Sequence, residues 1–346
     1  MARGGNKNKK PDSKGMWIGD YYLSEPMTNK GAGFSVWGIG EKDGARYFLK
    51  EYLTPVYPDE AAGLSEKTMR RKVERCTRFE QDKYKLFRIL DLSSDGNLLR
   101  VEEFFRYGTK YYLAAEAIES EKLPPPSELT GEQIIVILLA LSHAVMCFHK
   151  NGLVHGDIKP DNILYRRSRA GFLSPVVIDV DSCYYKADPP KSGDDLVVDQ
   201  MFMSPETFRF IRGESVQLDE KIDVFALGLI FYQILTGTLP GRGPDGPVYP
   251  FSVLLEGGRL DTGLVEDGNL RHLINRMLML EPSERPSMEE VHEFLMRTFG
   301  RVSVREEVQE DPETVPGTAA GTGAYGNQQE TRKEQGDNLW HTAGML

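Results

Sequence analysis

Asp157, Lys159 and Asn162 fall within one stretch, His155-Gly156-Asp157-Ile158-Lys159-Pro160-Asp161-Asn162, shortly after a long apolar run. Transfer of a phosphoryl group to a hydroxyl needs a carboxylate to orient the attacking oxygen and a cation to balance charge building on the phosphoryl oxygens. A metal ligand is the third requirement, and these residue types supply all three parts in one loop. A further acid closes the run Val176-Val177-Ile178-Asp179, with Asp181 two positions on as its rival. The β-branched run leads directly into Asp179, which favours it. Upstream, Lys30-Gly31-Ala32-Gly33-Phe34-Ser35-Val36 carries glycines whose backbone N–H groups can approach phosphates with no Cβ in the way. Lys50 ends the strand-like run Tyr47-Phe48-Leu49-Lys50, 14 residues beyond Val36.

Strands and helices must hold these groups. Apolar runs bounded by turn residues predict strands at 21–23, 34–39, 47–53, 98–105 and 111–117. The charged stretch 65–90 reads as one helix with Val73, Cys76, Phe79, Tyr84, Phe87 and Leu90 along an approximate face. Beyond a linker at 122–126, helices are expected at 130–150, 222–236, 270–279 and 288–298. The interval from Asn162 to Asp179 contains Arg166, Arg167 and Arg169 and reads as a lengthened solvent turn. A small β-rich lobe followed by a larger helical one places a cleft between them.

Composition narrows the field. In 346 residues, 40% are hydrophobic and 27% charged, the balance of a globular chain long enough for two cores. A net charge of −10 argues against bulk nucleic-acid binding. Cys76, Cys147 and Cys183 form no C-x-x-C pair, against both a disulfide framework and a zinc site and in keeping with a reducing cytoplasm. The apolar run 134–148 is too short to span a bilayer and reads as a buried helix, so no membrane partner is expected. No apolar stretch before Met16 suggests a secretory signal. Residues 1–15 are basic, and residues 301–346 are rich in Glu, Gln, Gly and Thr. Both tails are expected to be disordered.

With these motifs in this order, residues 17–298 resemble the eukaryotic-like serine/threonine protein kinases, of a compact, cytosolic type with a His-Gly-Asp catalytic loop. Ser204-Pro205-Glu206, Arg285 in Glu281-Pro282-Ser283-Glu284-Arg285-Pro286, and Asp223-Val224-Phe225-Ala226-Leu227-Gly228 extend the likeness into the helical part. The resemblance implies an α+β bilobal fold, with an N-lobe at 17–118 and a C-lobe at 119–298. It also implies a Ser/Thr kinase that uses ATP and Mg²⁺ on protein substrates, possible self-phosphorylation included. Asp157 would be the base, Lys159 the γ-phosphate contact, and Asn162 and Asp179 the magnesium ligands. Lys50 would grip the α- and β-phosphates and pair with Glu80 on the charged helix, or with Glu74. The nucleotide would lie beneath Gly31, Ala32, Gly33, Phe34, Ser35 and Val36, with Phe48 as roof, the backbone of Glu116 and Ile118 at the purine edge, and Leu164 completing the contacts. Asp223 would brace the catalytic loop, and Glu206 would pair with buried Arg285.

Four positions depart from that pattern. Gly156 replaces the Arg before the base, which predicts activity without loop phosphorylation. Phe48 stands where a small Ala usually roofs the adenine. Val180-Asp181 replaces Phe-Gly after the chelating Asp. Asp199 replaces a docking Thr seven residues before Glu206, where its carboxylate would repel Asp157 unless Lys159 bridges them. Ser182, Tyr184, Tyr185 and Ser192 are candidate autophosphorylation sites. Two rival readings remain: a small-molecule phosphotransferase, which shares His-Gly-Asp, and a pseudokinase scaffold.

Overall fold

The computed structural model describes residues 15–29, 35–59, 63–93, 96–168, 171–241 and 248–303. Both tails, and the glycine-loop residues Gly31, Ala32, Gly33 and Phe34, lie outside them. The first lobe is built on strands β1 (Met16–Ile18), β2 (Tyr21–Leu23), β3 (Ser35–Lys42), β4 (Ala45–Tyr52), β5 (Val101–Tyr107) and β6 (Lys110–Glu116). They form one antiparallel sheet in the order β1-β2-β3-β4-β6-β5. Helix α1 (Glu66–Ser93) packs on β5. Aromatic residues hold that contact: Phe79 lies edge-on to Tyr52, Phe104 and Tyr111, at centroid separations of 5.3, 5.8 and 5.3 Å. Such pairs contribute beyond the area they bury.

The second lobe begins with α2 (Gly131–Lys150), which opens on a Thr130–Gln133 capping box. It is long and apolar enough to cross a membrane, but half of it is buried and it packs against α7 (Met288–Ser303), as a core helix does. The short strands β7 (Leu153–Val154), β8 (Ile163–Arg167), β9 (Leu173–Val177) and β10 (Tyr184–Tyr185) follow it in sequence. They pair as two antiparallel ribbons, β7 with β10 and β8 with β9. Next come α3 (Pro205–Ile211), α4 (Lys221–Thr236), α5 (Pro250–Leu255) and α6 (Gly268–Met277). Helix α4 is the centre of this lobe: Val224, Phe225, Leu227, Leu229 and Phe231 are each 0% exposed.

A β-rich lobe followed by a helical one is the α+β bilobal architecture that the sequence resemblance implies, and all described residues fall in one compact unit. The interval after Asn162 corrects one expectation. Arg166 and Arg167 belong to strand β8, because alternate residues Ile163 and Tyr165 are buried. Helices α3 and α5 were not expected from periodicity; at seven and six residues they are too short to show it.

Candidate active site

The loop after β7 is held from below. Asp223, 1% exposed in the first turn of α4, accepts the backbone N–H groups of His155 and Gly156 at 2.8 and 3.0 Å. Its Oδ2 also lies 3.0 Å from His149 Nε2. A carboxylate in the first turn of a helix is favoured by the exposed N–H groups and the helix dipole there. Fully buried His155 ties the loop to the next segment: its Nε2 donates to the Ile178 carbonyl at 3.2 Å, and its Nδ1 accepts from the Asp157 N–H at 3.3 Å. Those two bonds select the tautomer with the proton on Nε2. Gly156 has φ +81°, and a Cβ there would come within 2.8 Å of the Ser182 carbonyl oxygen. Both facts exclude an Arg from this backbone position as it stands.

Asp157 therefore sits on a braced turn, beside a small pocket that it lines with Asp199 and Asp223, next to the main cleft that Asn162 lines. Its Oδ2 accepts from Lys159 Nζ at 2.7 Å and from Asn162 Nδ2 at 3.1 Å, and Asn162 also donates to the Asp157 backbone carbonyl at 2.7 Å. Burial pushes the Asp157 carboxyl above its usual value, against the opposing pull of Lys159, His155 and Asn162. Asp199 lines that small pocket together with Asp157. Its Oδ1 accepts from the Met201 N–H at 2.8 Å, while Lys159 turns to Asp157.

Across the cleft, Lys50 is 8% exposed and meets two acids, Asp179 Oδ1 at 2.8 Å and Asp181 Oδ2 at 2.9 Å. Burial alone would lower the Lys50 ammonium, but Asp181 and Asp179 together raise it above its usual value. Asp179 sits in left-handed backbone at φ +58°, ψ 74°, a conformation that a non-glycine residue holds only where its surroundings impose it. Asp181 Oδ1 accepts from Lys83 Nζ at 3.1 Å and from the Tyr52 hydroxyl at 3.0 Å. Burial would raise the Asp181 carboxyl, but Lys83 and Lys50 hold it well below the usual carboxylate range.

Two expectations need correction here. Glu80 does not meet Lys50: it accepts from the Tyr111 hydroxyl at 2.6 Å, while Glu74 pairs with Arg70 on the exposed face of α1. Residue parity on β3 also differs, because Ser35, Trp37 and Ile39 line the cleft and Val36 does not. Trp37 and Phe48 stack at 5.7 Å with their planes 26° apart, making an aromatic roof. Leu164, Glu116 and Ile118 line the same cavity of about 440 Å³, as do Asn162, Asp179 and Asp181 at its polar end. Lys83 was overlooked in the sequence. Its signal was a lysine inside an apolar stripe, four residues after Phe79 and four before Phe87.

Asn162 and Asp179 suit a hard cation. Asn162 Nδ2 is committed to Asp157, so the side-chain oxygen is the atom a metal would take. Among the described residues no group of three or more His, Cys, Asp and Glu forms a self-sufficient metal cage.

In the second lobe, Arg285 and Glu206 form a bidentate ion pair at 2.6 and 2.9 Å, with Arg285 2% and Glu206 4% exposed. The guanidinium also donates to the carbonyls of Met279, Lys221 and Leu280. A family profile described as "Protein kinase domain" matches residues 65–295, more than half of the chain. The chain belongs to the protein kinase domain family. Curated relatives of this kinase domain include the ovarian-specific serine/threonine-protein kinase Lok of Drosophila melanogaster, 29% identical over 44% of this chain and 31% of that protein. Serine/threonine-protein kinase D of Synechocystis sp. is 28% identical over 57% of this chain and 37% of that protein. Serine/threonine-protein kinase PkaA of Streptomyces coelicolor is 24% identical over 79% of this chain and 49% of that protein. The kinase domain thus spans between about a third and a half of the length of these relatives.

Proposed function

We propose that this kinase domain transfers the γ-phosphate of ATP to Ser or Thr hydroxyls of protein substrates, itself included, in the cytoplasm. The observation that carries the reading is the Asp157–Lys159–Asn162 cluster, which Asn162 joins to the cleft that Lys50 and Asp179 also line. Asp157 orients the acceptor hydroxyl and takes its proton, and its raised pKa makes it a better base than an exposed Asp. Lys159 sits beside the transferred group to balance charge on its oxygens, and Lys50 holds the non-transferred phosphates in line. Asn162 and Asp179 would hold magnesium, which supplies charge neutralisation at the bridging phosphate oxygens. The aromatic roof and Leu164 enclose the base, while Glu116 and Ile118 border its polar edge. Three free thiols suit a reducing compartment.

The test uses ATP labelled at the γ-phosphate, with mixed proteins as acceptors, in the presence of magnesium or a chelator. Label on phosphoserine or phosphothreonine that disappears with the chelator is the expected result. Label carried only by small molecules, or none despite measurable ATP binding, overturns the reading.

A further inference from the structure

The partner of Lys50 comes from an unexpected place. Among the described residues helix α1 presents no carboxylate to it; that helix contributes a cation, Lys83, and the acid between the two lysines is Asp181. One oxygen of Asp181 faces each lysine, and the oxygen facing Lys83 also accepts from the Tyr52 hydroxyl. The Lys83 side chain is only 12% exposed, and its ammonium lies 5.0 Å from the Tyr52 ring centroid and 5.9 Å from those of Phe79 and Phe87. A lysine held among rings in this way needs an anion beside it, since an unpaired buried charge is strongly unfavourable. Asp181 is that anion. Asp179 also touches Lys50, but it is the acid already assigned to the metal.

We propose that Asp181 is the positioning residue that aligns Lys50 with the nucleotide phosphates, and that Lys83 tethers Asp181 to helix α1. The Lys50–Asp181–Lys83 chain of alternating charge couples the helix to the nucleotide lysine through the turn that bears Asp179. The proposal rests on the kinase reading of the cleft and adds to it which carboxylate sets Lys50.

Full-length Asp181→Asn, Lys83→Met and the double variant test it by two measurements, ATP affinity without metal and kcat with magnesium. Both single substitutions misalign Lys50, so each lowers kcat roughly ten- to a hundredfold. Their effects on metal-free ATP affinity have opposite signs. Asp181→Asn removes an anion that competes with phosphate for Lys50 and tightens binding a few-fold, whereas Lys83→Met leaves that anion wholly to Lys50 and weakens binding a few-fold. In the double variant the weakening disappears, because the two residues act as one unit. Lys83→Arg keeps the cation and retains more kcat than Lys83→Met, which separates the tether from packing. The proposal is overturned by affinity changes of the same sign in both single variants, by kcat within twofold of wild type in Asp181→Asn, or by equal losses in Lys83→Arg and Lys83→Met. A greater loss of kcat in Glu80→Gln than in Asp181→Asn also overturns it. Absence of phosphoryl transfer in the wild-type protein would count against the kinase reading alone, because the opposite signs in ATP binding remain measurable.

Discussion

Asp157 is under two opposed influences, burial that raises its pKa and the Lys159 ammonium 2.7 Å away that lowers it. In its proposed role as base Asp157 works only when deprotonated, so kcat is expected to fall as pH drops through that pKa. Lys159→Met removes the lowering influence and moves the acid limb of the kcat–pH profile to higher pH; a limb that stays in place or moves down contradicts the assignment. Phe48 is the other residue with a direct consequence. Stacked on Trp37 above the cleft, it offers an aromatic face to a purine, and Phe48→Ala is expected to weaken ATP binding by about 1–3 kcal/mol. Equilibrium binding checks this, and unchanged affinity removes Phe48 from the nucleotide site. Asp157, Lys159, Lys50 and Asp179 were legible in the sequence because their types and order are chemically constrained, whereas Lys83 was not. Nor was the pairing. Glu80 and Lys83 lie three apart on one helix face, and which of them reaches the Lys50–Asp181 cluster depends on helix rotation and on Tyr111 capturing Glu80. Val36 failed for a simpler reason: a strand alternates sides every residue, so an error of one position reverses the face.

Helix α4 fixes the loop after β7 through Asp223, and the Glu206–Arg285 pair is tied to the first residue of that helix through the Lys221 carbonyl. Arg285 cannot lose its charge, and Arg285→Met strands a buried Glu206 carboxylate together with three backbone carbonyls. Breaking such a pair from one side costs about 3–5 kcal/mol, and a denaturant titration should show that loss. An effect below about 1 kcal/mol would mean that the pair is not buried in solution. The segment after β9 carries a second consequence. Gly156 leaves room for the Ser182 carbonyl, and β10 pairs with β7 beside it, so neutral backbone contacts hold the segment where an Arg is absent. Phosphatase treatment is therefore expected to leave kcat unchanged. Abolition of activity by dephosphorylation would show that loop phosphorylation supplies the order after all. Long helices were readable from their apolar period, whereas β8 was hidden because its arginines look like those of a turn and its buried residues number only two.

Across the whole chain, the change from short strands to long helices near 122–126 foretold two lobes, and the structure joins them in one compact unit around the cleft. The acidic total was less informative. Cleft lysines and acids are paired locally, so a net charge of −10 says little about which acceptor is used. Acceptor choice also belongs to surfaces that neither composition nor motif spacing specifies. Asp157 is proposed to support phosphoryl transfer from ATP bound in the adjoining cleft. Label transfer and ATP affinity, measured side by side for wild type and Asp157→Asn, test it most directly. Transfer is expected to fall by roughly 10²–10⁴-fold in Asp157→Asn while ATP affinity is kept, the loss that follows removal of a general base. Equal transfer rates in the two proteins would contradict it.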